Sequence, residues 1–462
     1  MKIVVVGGGL SGLASAHRLG SLLPEAKIVL VERAERVGGA LLTERTDGFV
    51  IEGGPDSFLS RKERGVGLCE ELGLAGALVG RKPENARSYV RHGSELHLLP
   101  DGLTGMIPTD LDSLGASTLL SAAGRERLSA EVDLPPEPSG ADESIATFVT
   151  RRLGAEAYER LVEPLMTGIY GGDGAQLSLQ ATFPNLSALE LEHGSLIRGL
   201  LAQSEAGACA YPPFVTLTSG MQALTERLFE RVRRTVVLTG RTVLALHSSE
   251  NGYELKLDGG ERIQADGVVV AIPAFAAADL LAELDHELAA AHAEIPYSST
   301  VVVSLAYRAE DIAHPLAGYG YVVPRAAGSE VLACSWTSSK WEGRAPKGFA
   351  LIRVFAGRFG GRDVTSDSDG GLIALAREEL RLLDIDATPS LCCVHRWPRG
   401  MPQYVLGHPE RLERIDAALA DHHGLALAGA AYRGVGIPDC IHSGEEAARS
   451  LAESLGRAGM LQ

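Results

Sequence analysis

The sequence predicts an α/β chain in which a doubly wound, mainly parallel sheet is interleaved with a mixed-sheet domain and a helical insertion. Three observations carry this expectation. The N-terminus reads strand, glycine turn, helix, strand; two later stretches show strand alternation with hairpin signals; and the segment between them is dominated by helical spacing. With 462 residues the chain has room for two or three domains.

Lys2 to Val6 is a short apolar run ending in Gly7-Gly8-Gly9, Leu10 to Leu22 carries helical spacing, and Ile28 to Val31 is a second β-branched run. The glycine run argues against reading the N-terminus as a secretion signal. Ala86 to Leu99 alternates about His92-Gly93, which fits a hairpin in a second sheet. Leu103 to Gln203 reads as a mostly helical insertion broken at Pro135-Pro136-Glu137-Pro138. Thr235 to Ala271 returns to strand patterns, with turn signals at Asn251-Gly252 and Asp258-Gly259-Gly260, and is expected to form a β-meander. Tyr297 to Tyr307 and Phe349 to Phe355 read as further strands, and Leu425 to Leu427 as a short strand before a helix from about Pro438 to Leu455. The expected division is 1–85, 210–280 and 395–462 for the first domain, 86–102 and 281–394 for the second, and 103–209 for the insertion, as a lid or a membrane-facing part.

Hydrophobic residues make up 45% and charged residues 22%, which suits a packed core and excludes disordered, collagen-like and coiled-coil chains. Forty-three basic against 59 acidic residues give a net charge of −16, which argues against a nucleic-acid partner and requires a local cationic pocket for any anionic ligand. The six cysteines show no C-x-x-C spacing, so no metal site and no disulfide framework is expected, and a reducing, cytoplasmic setting fits. No stretch reaches the ~18–20 apolar residues of a membrane span, and the best candidate, Gly267 to Ala282, contains Pro273 and Asp279.

The chemistry begins at Gly7-x-Gly9-x-x-Gly12, which follows the first strand and opens the first helix through Leu10 and Ser11, with Glu32 and Arg33 at the end of the second strand. The first glycine permits the tight turn, the second lets backbone N–H groups approach a pyrophosphate, and the third lets helix pack on strand. Glu32 is placed to accept ribose hydroxyls, which disfavours a 2′-phosphate and hence NADP. The doublet Gly38-Gly39 resembles the second glycine signature of FAD-dependent oxidases and desaturases, a second close backbone approach to a flavin diphosphate. Glu52-Gly53-Gly54-Pro55-Asp56 is similar to the segment that passes beside the isoalloxazine in that group. At the far end, a strand ends at Gly429 and Pro438 can take the first helical position, so that N–H groups around Gly436 and Ile437 would face the N1 and C2 carbonyl edge of the flavin. The string Ala265 to Pro273 (A-D-G-V-V-V-A-I-P) resembles the usual returning strand of such a domain.

Four strings carry a wider resemblance over nearly the whole chain: Gly53 to Phe58 (G-G-P-D-S-F), Val162 to Asp173 (V-E-P-L-M-T-G-I-Y-G-G-D), Leu177 to Pro184 (L-S-L-Q-A-T-F-P) and Gly434 to Ile441 (G-V-G-I-P-D-C-I). In these the chain resembles the FAD-dependent protoporphyrinogen and coproporphyrinogen III oxidases of haem biosynthesis. The resemblance implies the Rossmann-like fold of p-hydroxybenzoate hydroxylase and the amine oxidases. It implies FAD as cofactor, a tetrapyrrole as substrate, O2 as electron acceptor with release of H2O2, and six-electron oxidation of coproporphyrinogen III or protoporphyrinogen IX. It implies catalysis by positioning, with no dedicated general base. It also implies cofactor contact by Val243, pairing of Arg87 with a propionate, and a cavity lined by Thr167, Gly168 and Trp336. Peripheral contact with the cytoplasmic face of a membrane, and handover to a haem-pathway neighbour, are compatible with it.

Two other readings compete. A flavin amine oxidase of the same fold would resemble its relatives in using a lysine near N5 on the strand Thr300 to Tyr307, where this chain has Val301-Val302-Val303. A non-catalytic carrier of the same fold, like the Rab dissociation inhibitors, would not need both glycine signatures. His422-His423 and Cys392-Cys393 are adjacent pairs whose side chains cannot readily share one metal, and Asp367-x-Asp369-Gly370 reads as helix capping rather than a calcium loop.

Overall fold

Hydrogen bonding sorts the apolar runs into two principal sheets, and the helical insertion forms a separate unit with its own core. The computed structural model describes residues 1–115, 117–137, 141–204, 210–232 and 235–459; Pro138, named above, and Cys209, one of the six cysteines, lie outside them. The first sheet is five-stranded, in the order Val236–Leu238, Lys27–Val31, Lys2–Val6, Gly267–Val270, Leu425–Leu427, with every pairing parallel. Its strands are apolar at successive positions because both faces are covered. Ile3, Val5, Ile28 and Leu30 pack against helices Leu10–Leu22, Gln222–Arg231 and Ile437–Gly459. Val4, Val6, Val29 and Val31 pack against helices Ala274–Leu281 and His286–Ala293 and against the antiparallel strands Val243–Ser249 and Gly252–Leu257. Each such buried side chain contributes about 1.5–3 kcal/mol over exposure, which is why no polar alternation is tolerated there.

The second sheet is seven-stranded and mixed, in the order Leu391–Pro402, Tyr297–Arg308, Phe349–Ala356, Val331–Ser335, Gly320–Val322, Tyr89–His92, Glu95–Leu98. One face packs Tyr307, Tyr321, Trp336, Ile352 and Val354 against helix Asp369–Leu380. The opposite face carries Arg353, His395 and Trp397 toward the Gly53-Gly54 loop of the first domain and Val322 toward Gly168 of the insertion. The insertion has its own core, including Phe148, Val149, Met166, Leu189 and Leu196, around a buried Arg152 that pairs with Glu131 and Glu190. Its helix Glu163–Tyr170 follows a π-helical turn, Tyr158–Val162; Pro164 cannot donate to the preceding turn, and the wider turn accommodates the missing bond. Among the described residues no helix is long and apolar enough to cross a membrane.

The structure corrects three expectations. The stretch from Thr235 to Ala271 is not one meander: Val236–Leu238 and Gly267–Val270 join the parallel sheet, and only 243–265 is antiparallel. The expected boundary at 394/395 falls inside the continuous strand Leu391–Pro402, and that at 280/281 falls at the end of helix Ala274–Leu281, whose partner helix His286–Ala293 packs on the first domain's core. The C-terminal helix begins at Ile437, so Pro438 is its second residue.

Candidate functional site

The first helix starts at Leu10 with Gly9 as its cap residue, no side chain bonded to its free N–H groups and no acidic residue in its first turn. Such an end is electropositive and open to an anion. Close approach explains the fingerprint around it. A Cβ on Gly12 would sit 1.9 Å from the Gly7 carbonyl oxygen, and a Cβ on Gly7 would sit 2.4 Å from the Ala271 oxygen. The second doublet meets the first: the Gly38 N–H donates to the Gly8 carbonyl at 2.7 Å, and a Cβ on Gly39, at φ +56°, would lie 3.1 Å from the Gly9 Cα. Glu32 closes the cradle, accepting from the N–H of Gly8 at 2.6 Å and of Ala34 at 2.8 Å. Each oxygen keeps a lone pair, so both remain able to accept a ribose hydroxyl. Arg33 is exposed beside it. Arg241 donates its N–H to the Glu32 carbonyl at 3.0 Å, which brings the strand that starts at Val243 to the same edge.

The two ends of the chain meet through helix Ile437–Gly459. The Ser11 hydroxyl donates to the Cys440 carbonyl at 2.9 Å, the Ser15 hydroxyl donates to that of Gly444 at 2.8 Å, and a Cβ on Gly444 would lie 2.2 Å from the Ser11 oxygen. Gly429 donates to the Ser443 hydroxyl at 2.9 Å. The N–H of Gly436 is not free as expected: it donates to Asp439 Oδ2 at 3.1 Å, because Asp439 folds back over the start of its own helix while also pairing with Lys62 at 2.7 Å. Behind this loop the Tyr404 hydroxyl donates to the Ala430 carbonyl at 2.5 Å and accepts from the Gly434 N–H at 2.8 Å. The Tyr404 ring stacks on His408 at 4.2 Å. Burial pushes the His408 imidazole down to about 4, with Arg411 and Arg433 adding to the shift and a 3.0 Å hydrogen bond to the Tyr432 carbonyl opposing it.

Gly53-Gly54-Pro55-Asp56 is held from the mixed sheet. The Trp397 indole donates to the Gly53 carbonyl at 2.7 Å and Arg353 to that of Gly54 at 2.6 Å, while a Cβ on Gly54 would meet the Ala40 oxygen at 2.0 Å. The Asp56 carboxylate, expected beside the cofactor, turns into this support instead, accepting from Lys340 and from the Trp341 indole at 3.0 Å each, with Arg353 at 3.6 Å. Burial alone would raise its pKa, but Lys340, Arg353 and the indole N–H hold the carboxyl far below the ordinary carboxylate range. Next to it Glu52 is raised by burial against the opposing Arg344. None of Arg353, Lys340, Trp397 or Tyr404 is found by motif; the one sequence signal is the charge of Arg353 inside the apolar run Phe349 to Ala356.

The substrate-side expectations divide. Gly168 faces Val322, with a Cβ 3.5 Å from its side chain, and Gly171 faces Ser298 and Thr300. The hydroxyl of Thr167 is spent inside the insertion on Glu163, at 2.7 Å. Trp336 is 1% exposed and packs with Tyr89, His314 and Tyr321 in the core on the sheet face opposite Arg353, so it does not line a cavity with Gly168. It alternates out because Ser335, not Trp336, points to the other face in that strand register. Arg87 is exposed at the start of the hairpin and pairs with no carboxylate among the described residues, whereas Arg91, Arg152, Arg160 and Arg198 pair with Glu379, Glu131, Glu156 and Asp133.

An open helix N-terminus, two interlocked glycine turns and an acidic residue at the second strand's end define a dinucleotide-fold protein with a mixed-sheet domain packed against its Gly53-Gly54 loop. The chain belongs to the family of flavin containing amine oxidoreductases, whose family model matches residues 10–452, and its cofactor is a flavin. It is 37% identical over 458 residues to a coproporphyrinogen III oxidase of Bacillus subtilis (strain 168), covering 96% of each chain. It is 31% identical to the chloroplastic protoporphyrinogen oxidase 1 of Arabidopsis thaliana, covering 96% of this chain and 87% of that one. Among solved structures, a protein of Exiguobacterium sp. 255-15, provisionally described as a protoporphyrinogen oxidase, superposes with a TM-score of 0.87 at 32% identity over 98% of each chain.

Proposed function

We propose that this chain is an FAD-dependent oxidase that converts coproporphyrinogen III to coproporphyrin III, with O2 as electron acceptor. The observation that carries the reading is the junction of Gly9 with Gly39 under an uncapped helix end, in a chain similar over 96% of its length to a coproporphyrinogen III oxidase. The free N–H groups at Leu10, Ser11 and Gly12 fit a diphosphate, Glu32 fits a ribose, and the glycines leave room for the ligand's backbone. A bound flavin supplies the two-electron acceptor that the side chains lack.

The protein's own share is positioning. Removing six hydrogens from the macrocycle takes three rounds, each passing two electrons and two protons to one O2 and giving one H2O2. The substrate must therefore be re-presented to the same spot, and Arg87, exposed and without an acidic partner among the described residues, supports the role of an anchor for a propionate. Strand Tyr297–Arg308 contains no lysine, so it lacks the residue that an amine-oxidising relative uses there. The reading is tested with purified flavin-loaded protein in air, following porphyrin fluorescence and H2O2 with coproporphyrinogen III, protoporphyrinogen IX and a set of primary amines. Three H2O2 per coproporphyrin, a higher kcat/KM for the four-propionate substrate and none from amines are expected. No porphyrin from either porphyrinogen refutes the proposal.

A further inference from the structure

Arg81 directly follows strand Leu78–Gly80 and is clamped between two aromatic rings, its guanidinium carbon 4.6 Å from the centroid of Phe214 and 4.6 Å from that of Tyr319. The clamp fixes a planar cation that would otherwise sample many rotamers. It is half-buried, and among the described residues it has no hydrogen-bond or ion-pair partner. Burial works against its charge, and Tyr319 and the Asp56 carboxylate offset that only in part, so the guanidinium is a rigid, partly desolvated cation whose N–H groups are bonded to no anion among the described residues.

Its place explains the cost. Strand Phe214–Leu217 pairs with Phe58–Leu59, the segment that continues the Gly53 to Asp56 loop, and also with Leu78–Gly80, which delivers Arg81. On the other side the Tyr319 N–H donates to the Arg87 carbonyl at 2.7 Å. Arg81 therefore stands between the loop assigned to the flavin and the arginine assigned to a propionate. Beside it the cross-strand neighbours Phe214 and Leu59 are 37% and 40% exposed, an apolar patch adjoining an unspent cation. That combination suits a large apolar ring system with carboxylate arms.

We propose that Arg81 is a second carboxylate-receiving residue of the substrate site, acting with Arg87 on separate carboxylates of one macrocycle. The proposal rests on the porphyrinogen reading above. It is tested in the flavin-loaded full chain with R81Q and R81K, measuring kcat and KM for coproporphyrinogen III and protoporphyrinogen IX at low and high salt. R81Q is expected to raise KM for the four-carboxylate substrate about tenfold or more, with a smaller rise for the two-carboxylate one and the loss seated in KM rather than kcat. R81K is expected to recover only part of it, since an ammonium cannot offer the planar fork. Unchanged KM for both substrates, or an equal rise for both, overturns the role of Arg81 while wild-type turnover leaves the porphyrinogen reading standing; a wild-type protein that makes no porphyrin overturns both. Should R81Q lose its flavin, R81K decides, and a wild-type KM there with unaltered salt dependence overturns the proposal.

Discussion

Gly39→Ala isolates the cofactor cradle from ordinary backbone strain. Gly39 has φ +56°, and an added Cβ would meet only the Gly9 Cα, at 3.1 Å, so the two loops must part by a few tenths of an ångström. An alanine in the left-handed region costs about 1–2 kcal/mol wherever it stands. Gly93, at the tip of the hairpin with φ +63° and nothing within 4 Å of its Cβ, carries the same backbone cost far from the cradle and is the matched control. Both variants should therefore lose about 1–2 kcal/mol in urea unfolding of the flavin-free protein. Only G39A should lose flavin affinity, because parting the loops weakens one or two charge-assisted contacts of about 1.5–3 kcal/mol each, or about tenfold or more in Kd. Titration of the flavin-free proteins with FAD, followed by flavin fluorescence, reads the difference. Equal FAD affinity in G39A and G93A refutes the assignment of this gap to the cofactor.

Arg87→Ala is expected to raise KM for the porphyrinogen while leaving the bound-flavin absorption spectrum as in wild type; an unchanged KM removes Arg87 from the site. Asp56→Asn should destabilise the protein by about 3–5 kcal/mol, since it leaves Lys340 and Arg353 buried around a neutral side chain, and a loss below about 1 kcal/mol by denaturant titration contradicts the bridging role. His408, with its imidazole at about 4 in the folded protein and about 6.5 when unfolded, stays neutral where the unfolded chain takes up a proton. Stability should accordingly fall as pH drops from 6.5 toward 4, by up to about 3 kcal/mol, and H408Q should flatten that part of the curve; parallel curves for the two proteins exclude His408 as the source.

What the sequence made legible follows from how local each determinant is. The strand, glycine turn, helix and strand of residues 2–31 are fixed by neighbours in sequence, and helix Leu10–Leu22 falls where the spacing puts it. The hairpin at Gly93 is equally local. Sheet membership is not: Val236–Leu238 and Val243–Ser249 read alike as strands, and only their partners, Lys27–Val31 for one and Gly252–Leu257 for the other, place them in different sheets. The same limit governs side chains. Trp336 sits one residue past a strand, where a single-residue step selects the sheet face, and aromatic character alone does not choose between core and cavity.

The support of the Gly53 to Asp56 loop shows why the rest of the site could not be read off motifs. Its two glycines are conspicuous in sequence, yet what orients their carbonyls is a tryptophan and an arginine that lie about three hundred residues later on two strands of the other sheet. A glycine loop has no side chains with which to fix itself, so its geometry must be imposed by donors from elsewhere. Arg353 meets that need and creates another, because its buried charge requires Asp56 and turns that carboxylate toward the mixed sheet. If the Gly53 to Asp56 loop contacts the flavin as proposed, the mixed sheet shapes the cofactor site as well as covering it, and mutations in strand Phe349–Ala356 should register in flavin binding before they register in substrate binding.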